Sequence, residues 1–155
     1  MLICLIRHAI AMDRSEWNDL GKLDCTRPLT PKGKLKFAKG AQGLKKLIPS
    51  FDHIYSSKFL RAKQTTALLK YQFPHAKYYE DGSLNPNGDF FKLWEDLKSL
   101  DSLNIAIVGH EPDLSSLART ILESQIAFSL NKGGVIILER GLLHGHYSPK
   151  SLRLL

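Results

Sequence analysis

The chain has 155 residues, of which 43% are hydrophobic and 24% charged, and its formal net charge at pH 7 is +7. These proportions exclude a disordered or membrane-embedded chain and are typical of a globular protein. We expect a single domain over residues 1–155 with a core of its own. The first apolar run stops at Arg7, too early for a signal peptide or a membrane span, which favours a cytoplasmic protein that does not enter a membrane.

The first half of the chain predicts two strands, each followed by a helix. They are a buried strand at 2–7, a helix from Pro31 to about Ile48, a short strand at 52–56 and a helix from Ser57 or Lys58 that ends before Pro74. Thr30 and Pro31 mark the start of the first helix, because threonine caps a helix and proline fits its first turn. The many lysines of this helix are interpreted as a solvated face, and with no nucleic-acid-binding motif present we expect no nucleic-acid partner.

The second half continues the alternation and ends in a hairpin. It predicts a weak strand at 76–79, a turn-rich loop at 83–89, a helix at 90–100, a buried strand at 104–110, a helix from Pro112 through Glu123, and a hairpin of "GVIILE" and "LLHGHY". Strands that alternate with helices indicate an α/β fold. We expect a three-layer sandwich, with helices on both faces of a mostly parallel central sheet to which the hairpin adds an antiparallel strand.

Cationic side chains follow the ends of three of these strands. Arg7 and His8 close the first strand, and His110 closes the strand that reads "NIAIVGH". Arg61 lies in the first turn of the helix after the second strand, where free backbone amides favour an anion. Ligands of open parallel sheets bind outside the carboxyl ends of the strands, so these four side chains are expected to converge. Burying so much positive charge is costly unless an anion lies among them, and a phosphoryl group fits.

Several kinds of phosphoryl chemistry are excluded by motifs that the chain lacks. It has no Cys-x5-Arg loop, no DxD pair and no GxxxxGK[ST] loop. Cys4 and Cys25 form no CxxC pair, and His144-x-His146 has no nearby carboxylate, so we predict no metal site and no cofactor. Histidine itself remains as the nucleophile, since it is one of the residues that form covalent intermediates.

Six motifs of the chain resemble, in order, those of the histidine phosphatase superfamily. They are Arg7-His8-Ala9 where the family has Arg-His-Gly, "RPLTPKG" at 27–33, "YSSKFLRAKQT" at 55–65, "LNPNGD" at 84–89, "VGHEP" at 108–112 and "KGG" at 132–134. Within this phosphoglycerate mutase-like group the chain looks like the small SixA-type phosphohistidine phosphatases. The resemblance implies a phosphoglycerate mutase-like fold and a metal-independent phosphatase that acts in signal transduction.

The resemblance also implies a role for each candidate site residue. His8 is the expected nucleophile, which forms a phosphohistidine that water then hydrolyses, while Arg7 and Arg61 hold the nonbridging oxygens. His110 is expected to stabilise their charge in the transition state, and the cationic surroundings are expected to lower the pKa of His8 so that it stays neutral. Arg27 either contacts the phosphate or the rim of the site, or it is an ordinary loop arginine with no role in the site.

The general acid and the substrate remain open at this stage. The region where larger members supply a carboxylic acid offers Ser83, and the nearby Glu80, Asp81 and Asp89 fit turn or capping roles equally well. The leading hypothesis is removal of the phosphoryl group from a histidine of a phosphotransfer protein. The alternatives are a small-molecule phosphomonoesterase of the same fold and a non-catalytic module that binds a phosphorylated partner. The sequence leaves the oligomeric state undetermined.

Overall fold

A six-stranded sheet forms the centre of the computed structural model, which describes residues 1–155. Its strands are β1 (Leu2–Arg7), β2 (His53–Ser56), β3 (Lys77–Glu80), β4 (Asn104–Gly109), β5 (Val135–Glu139) and β6 (Leu142–Tyr147). Their order across the sheet is β3-β2-β4-β1-β5-β6. The first four pair in parallel, whereas β5 pairs antiparallel with β1, and β6 antiparallel with β5. The predicted mostly parallel sheet is confirmed, and both strands of the hairpin extend its edge.

Six helices accompany the sheet, four of which were predicted. They are α1 (Arg14–Asp19), α2 (Pro31–Leu47), α3 (Leu60–Gln72), α4 (Phe90–Leu97), α5 (Asp113–Leu122) and α6 (Pro149–Arg153). The sequence pattern does not reveal the short helix α1, because none of its residues is buried and it has no apolar periodicity. Helix α2 begins as predicted: the Thr30 hydroxyl accepts the Gly33 N–H at 2.9 Å, a cap that contributes about 1 kcal/mol. No helix is both long and apolar enough to cross a membrane.

The helices cover both faces of the sheet. Side chains alternate along β1, so that Cys4 and Ile6 join a buried cluster that also holds Phe37 and Leu44 of α2. On the other face Ile3 and Leu5 join a second cluster. Its members from helices include Leu93 and Leu97 of α4 and Leu114 and Leu117 of α5. The predicted three-layer sandwich is therefore confirmed.

Strand register brings the residues after β1, β2 and β4 to one edge of the sheet. Arg7 pairs with Gly109, and Ser56 pairs with Val108. The ladder continues for one residue beyond each strand, since the N–H of His8 donates to the Gly109 carbonyl at 3.0 Å. The N–H of Ser57 likewise donates to the Val108 carbonyl at 3.0 Å.

The loop after His8 is held against the start of α2. The Thr30 N–H donates to the Ile10 carbonyl at 3.0 Å, and a Cβ atom on Gly33 would lie 2.1 Å from that same oxygen. Only glycine permits this close backbone approach, which accounts for the glycine of "RPLTPKG". The motif thus fixes the chain that leaves the strand end.

Candidate active site

The structure brings together the four side chains that the sequence placed at strand ends. The imidazole rings of His8 and His110 lie 5.2 Å apart, centroid to centroid. His8, Arg61 and His110 are buried, with exposed fractions of 5%, 1% and 4%. Arg7 and Arg61 lie close enough to His8 to act on its charge. The predicted convergence is therefore confirmed, while the roles of these residues stay predictions at this point.

The hydrogen bond made by His8 defines its tautomer. Its Nδ1 lies 2.7 Å from the Ala9 carbonyl oxygen. A carbonyl only accepts, so Nδ1 carries the proton and donates, and Nε2 keeps its lone pair. Burial lowers the pKa of His8 to about 2; the Ala9 carbonyl opposes this shift, and His110, Arg61 and Arg7 add to it. The expected direction is confirmed, but the main cause is burial of the ring rather than the neighbouring cations.

His110 differs from His8 in which ring nitrogen has a partner. Its Nε2 lies 2.8 Å from the Ser57 hydroxyl, while its buried Nδ1 has no hydrogen-bond partner. Burial lowers the pKa of His110 to about 3; Arg61 lowers it further, Asp24 raises it, and other arginines lower it again. Both rings are therefore neutral at pH 7.

Arg61 is fixed by an acidic residue that the sequence analysis missed. Its Nη1 donates to the Asp24 carbonyl at 3.1 Å and its Nη2 to Asp24 Oδ2 at 3.2 Å, which leaves Nε buried without a partner. Burial raises the pKa of Asp24, but the hydrogen bond from Arg27 and the charges of Arg61, Arg27 and Arg14 outweigh it, so the pKa is below its usual value. Asp24 therefore supplies part of the negative charge that these cations need.

Arg7 and Arg27 are held by backbone carbonyls. Arg7 Nη1 donates to the Leu130 carbonyl at 2.7 Å, and its Nε is buried without a partner. Arg27 is only 3% exposed, since its Nη1 donates to the Met12 carbonyl at 2.8 Å and its Nε to Asp24 at 3.0 Å. Arg27 is thus a buried residue that fixes the loop around Asp24. Its predicted contact with phosphate stays a prediction.

The buried polar atoms without partners all belong to this site. Across the whole chain, buried side-chain nitrogen and oxygen atoms that make no hydrogen bond number three: Arg7 Nε, Arg61 Nε and His110 Nδ1. Leaving such a group unsatisfied costs about 1–3 kcal/mol, and more when it is charged. An oxyanion placed among them would accept hydrogen bonds from both guanidinium groups. The arrangement can therefore bind a tetrahedral oxyanion next to the lone pair of His8.

Sequence comparison identifies the family. Residues 3–85 match the sequence profile of the Histidine phosphatase superfamily (branch 1). The chain belongs to this superfamily. An uncharacterized protein of Picosynechococcus sp. is 34% identical to it over 148 residues, which cover 91% of this chain and 86% of that protein. Membership of the histidine phosphatase superfamily implies phosphatase activity.

Two solved structures share the fold of this chain. The protein histidine phosphatase SixA complexed with tungstate matches with a TM-score of 0.84 and 22% identity, over 98% of this chain and 99% of that chain. Phosphoserine phosphatase from Entamoeba histolytica in complex with 3-phosphoglyceric acid matches with a TM-score of 0.72 and 22% identity, over 97% of this chain and 98% of that chain. The predicted phosphoglycerate mutase-like fold is confirmed.

The acidic residues near the candidate site have structural contacts of their own. Glu80 pairs with Lys63 at 3.1 Å, and Asp81 accepts the Ser83 hydroxyl at 2.6 Å. Asp89 accepts the N–H of Lys92 at 3.4 Å, where it caps helix α4. The structure therefore favours the turn and capping roles for Asp81 and Asp89, whereas Glu80 lies in strand β3 and forms an ion pair instead, and the general acid remains unassigned. No group of three or more His, Cys, Asp or Glu side chains is arranged to hold a metal ion.

Two residues of the quoted motifs support the site without an assigned role in the sequence analysis. Thr65 ends the motif "YSSKFLRAKQT", and its hydroxyl accepts the Ala9 N–H at 3.0 Å while donating to the Arg61 carbonyl at 2.7 Å. Thr65 thereby links the peptide after His8 to helix α3. Gln64 Oε1 accepts the Leu29 N–H at 2.8 Å and ties the same helix to the loop before α2. The motif alone indicated these positions, but not their partners.

Proposed function

We propose that this chain is a protein phosphohistidine phosphatase whose nucleophile is His8. The observation that carries this proposal is the set of three unpartnered buried atoms, Arg7 Nε, Arg61 Nε and His110 Nδ1, beside a histidine with a free Nε2 lone pair. The likeness to a SixA structure complexed with tungstate, a tetrahedral oxyanion, supports it.

The proposed reaction has two steps at phosphorus. First, the lone pair of His8 Nε2 forms a bond to the phosphorus of a substrate phosphohistidine. The substrate P–N bond breaks, its electron pair stays on the leaving imidazole nitrogen, and that ring takes a proton from solvent. Water then attacks phospho-His8, the electron pair of the second P–N bond returns to Nε2, and phosphate leaves.

Arg7 and Arg61 supply the charge stabilisation in this proposal. Each has a buried, unpartnered Nε–H that can donate to a nonbridging oxygen, and Asp24 keeps Arg61 in place. Hydrogen bonds from charged donors are roughly twice as strong as neutral ones and require no rearrangement during the reaction. The proposed chemistry therefore needs no metal ion and no cofactor.

The leaving group favours a P–N substrate over a P–O substrate. The conjugate acid of an imidazole has a pKa near 6.5, whereas an alkoxide is far more basic and depends on a positioned acid. Glu80, Asp81 and Asp89 are each held in another contact. A site without a committed acid is therefore better suited to phosphohistidine.

A basic cavity beside the site supports a protein partner. It has a volume of about 350 Å³ and lies between α2, α6 and the loop before β5. Its lining includes Ala9, which follows the nucleophile, and four cations but no carboxylate: Lys36, Lys132, Lys150 and Arg153. None of the four takes part in an ion pair. Acidic side chains of a phosphotransfer protein would complement this surface, and the proposal includes a role in cytoplasmic signal transduction.

A small phosphomonoester is the second candidate substrate. It is favoured by the fold shared with the Entamoeba histolytica phosphoserine phosphatase in complex with 3-phosphoglyceric acid. The deciding experiment compares kcat/KM for a chemically phosphorylated histidine phosphotransfer domain with kcat/KM for phosphoserine and 3-phosphoglycerate, with and without EDTA. We expect a large preference for the phosphodomain and no effect of EDTA. An equal or reversed preference would assign the protein to the small-molecule class, and single-turnover binding without hydrolysis would make it a binding module.

A further inference from the structure

A chain of hydrogen bonds leads from His110 to Asn85, a residue of the loop after β3. Asn85 Oδ1 lies 2.8 Å from the Lys58 backbone nitrogen and 3.0 Å from the Ser57 hydroxyl, which lies 2.8 Å from His110 Nε2. A backbone N–H only donates, so the amide atom that faces it must be the oxygen. The orientation of the Asn85 amide is therefore fixed by Lys58.

The hydroxyl of Ser57 then has one possible arrangement of its hydrogen bonds. Its single proton goes to Asn85 Oδ1, which cannot donate. One of its lone pairs accepts the N–H of Phe59 at 3.2 Å, and the other is left for the imidazole. His110 Nε2 must therefore carry a proton and donate it to Ser57. In the neutral ring Nδ1 is consequently a bare lone pair, buried and without a partner.

The two histidines of the site thus have opposite tautomers. His8 is protonated on Nδ1, whereas His110 is protonated on Nε2. A phosphoryl oxygen next to His110 Nδ1 would meet a lone pair rather than a donor. That contact becomes attractive only when Nδ1 takes up a proton and the ring becomes an imidazolium that Ser57 still holds through Nε2–H.

We propose that Asn85 is a positioning residue that, through Ser57, holds His110 in the Nε2–H tautomer, so that binding of a tetrahedral dianion is accompanied by uptake of one proton at His110 Nδ1. The proposal deepens the proposed function, since it concerns the same oxyanion site. The charged groups that act on His110 are Arg61, Arg7 and Arg27, which oppose the added proton, and Asp24, which favours it. His8, 5.2 Å away, is neutral. The arriving dianion reverses this balance, because it places negative charge directly against Nδ1.

The tautomers are measured by ¹⁵N NMR of the imidazole nitrogens, with His110→Gln used for assignment. In the native protein we expect the signals of a protonated Nε2 and a bare Nδ1 for His110, and the reverse for His8. In Asn85→Ala the Ser57 hydroxyl is free to donate to His110, so a population with Nδ1–H should appear. Asn85→Asp keeps both acceptor contacts and should restore the native tautomer. Ser57→Ala breaks the chain at another point, and serves if Asn85→Ala fails to fold.

Proton uptake is measured by calorimetry of tungstate binding at pH 8 in buffers of different ionisation enthalpy. Free tungstate is a dianion at this pH, so a proton taken up on binding comes from solvent, and the ¹⁵N signal of His110 Nδ1 in the tungstate complex shows whether the proton lies on that atom. We expect one proton per tungstate for the native protein and for Asn87→Gly, a control in the same loop at a residue with φ of 65°. Asn85→Ala should take up less. The kcat of Asn85→Ala should fall about tenfold, because the loss of one hydrogen bond changes a rate by about this factor, and its KM should change less.

Two results would overturn the proposal: an Nδ1–H tautomer for His110 in the native protein, or native tautomers and native proton uptake in Asn85→Ala. Neither readout needs turnover. A protein that shows the expected tautomers and proton uptake but does not hydrolyse phosphohistidine would contradict the proposed substrate and leave this inference standing.

Discussion

Asp24 accepts two hydrogen bonds from the guanidinium of Arg61, one at its backbone carbonyl at 3.1 Å and one at its carboxylate at 3.2 Å. The same carboxylate accepts Arg27 Nε at 3.0 Å. One acidic side chain therefore stabilises two buried cations and leaves the buried Nε of Arg61 without a partner. The site is positively charged enough to bind phosphate and yet stable without it.

Asp24→Asn is expected to lower the stability of the protein. Breaking a buried ion pair costs about 3–5 kcal/mol, and since the Asp24 side chain is 35% exposed we expect about 1–3 kcal/mol after solvent screening. The folded pKa of Asp24 lies below its ordinary value of 3.8, so its contribution is fully present above that value and is lost as the pH falls through the folded pKa. Urea unfolding at pH 7 and pH 3 should show the difference between native and variant shrinking at pH 3. If native protein and variant differ in free energy of unfolding by the same amount at both pH values, the Asp24 carboxylate does not stabilise the protein through this ion pair.

The fold and the four central residues of the site were predictable because they depend on local patterns. Runs of apolar residues in the sequence predict buried strands, and Arg7, His8 and His110 follow such runs directly. Asp24 was not predictable, since its contact with Arg61 spans 37 residues and depends on how the loop after β1 folds back. Asn85 is similar, because its amide meets Ser57 across 28 residues. Ser57 and Lys58, where the helix was predicted to start, both contact Asn85, and α3 starts at Leu60.

His8→Ala is expected to abolish turnover while the fold remains, because the variant lacks the nucleophile. Brief incubation of the native protein with labelled phosphorylated domain should trap a phosphoryl group that is labile in acid and stable in base, as a P–N bond to histidine is. The thermal unfolding midpoint of the variant serves as the control for folding. A trapped group with the acid stability of a serine ester would exclude His8 as the nucleophile.

Arg61→Lys and Arg61→Ala are expected to lose similar amounts of activity. Lysine keeps the charge, but its three donors sit on one nitrogen, which cannot reproduce the fork that holds Asp24 through Nη1 and Nη2 and leaves Nε for the oxyanion. A lost charge-assisted hydrogen bond amounts to about 1.5–3 kcal/mol, so kcat/KM should fall about 10- to 150-fold. Steady-state kinetics with the phosphodomain measure this loss, and unchanged rates in Arg61→Ala would remove Arg61 from the site. Full activity in Arg61→Lys would show that charge alone suffices.

The two buried histidines are expected to make the protein sensitive to mild acid. Their folded pKa values of about 2 and about 3 lie below the ordinary 6.5, so the unfolded chain binds more protons as the pH falls below 6.5. Stability is then unaffected above pH 6.5 and falls below it, by about 2 kcal/mol for each histidine at pH 5. Urea unfolding of the native protein and of the double variant His8→Gln, His110→Gln at pH 7 and pH 5 tests this. Equal pH dependence in the two proteins would contradict the depressed pKa values.

The basic cavity provides the test of the partner. Lys36 and Arg153 line it, and the pKa of Lys36 is lowered first by the charge of Lys32, then by desolvation and by the charge of Arg153. An acidic protein surface would relieve this repulsion, whereas a small phosphomonoester in the oxyanion site would not reach it. The double variant Lys36→Glu, Arg153→Glu should therefore lower the ratio of kcat/KM for the phosphodomain to kcat/KM for phosphoramidate, by about tenfold at low salt.

Ionic strength separates this effect from a change in the site itself. Screening shortens the range of surface charges to about 10 Å at 0.1 M salt, so the difference between native and double variant should diminish as salt is added. The double variant Lys77→Glu, Lys92→Glu makes two exposed changes on β3 and α4, alters the net charge by the same amount, and is the matched control that should leave the ratio unchanged. If the control lowers the ratio equally, net charge rather than the cavity attracts the partner. If the double variant leaves the ratio unchanged at every salt concentration, the cavity takes no part in recognising the phosphorylated protein.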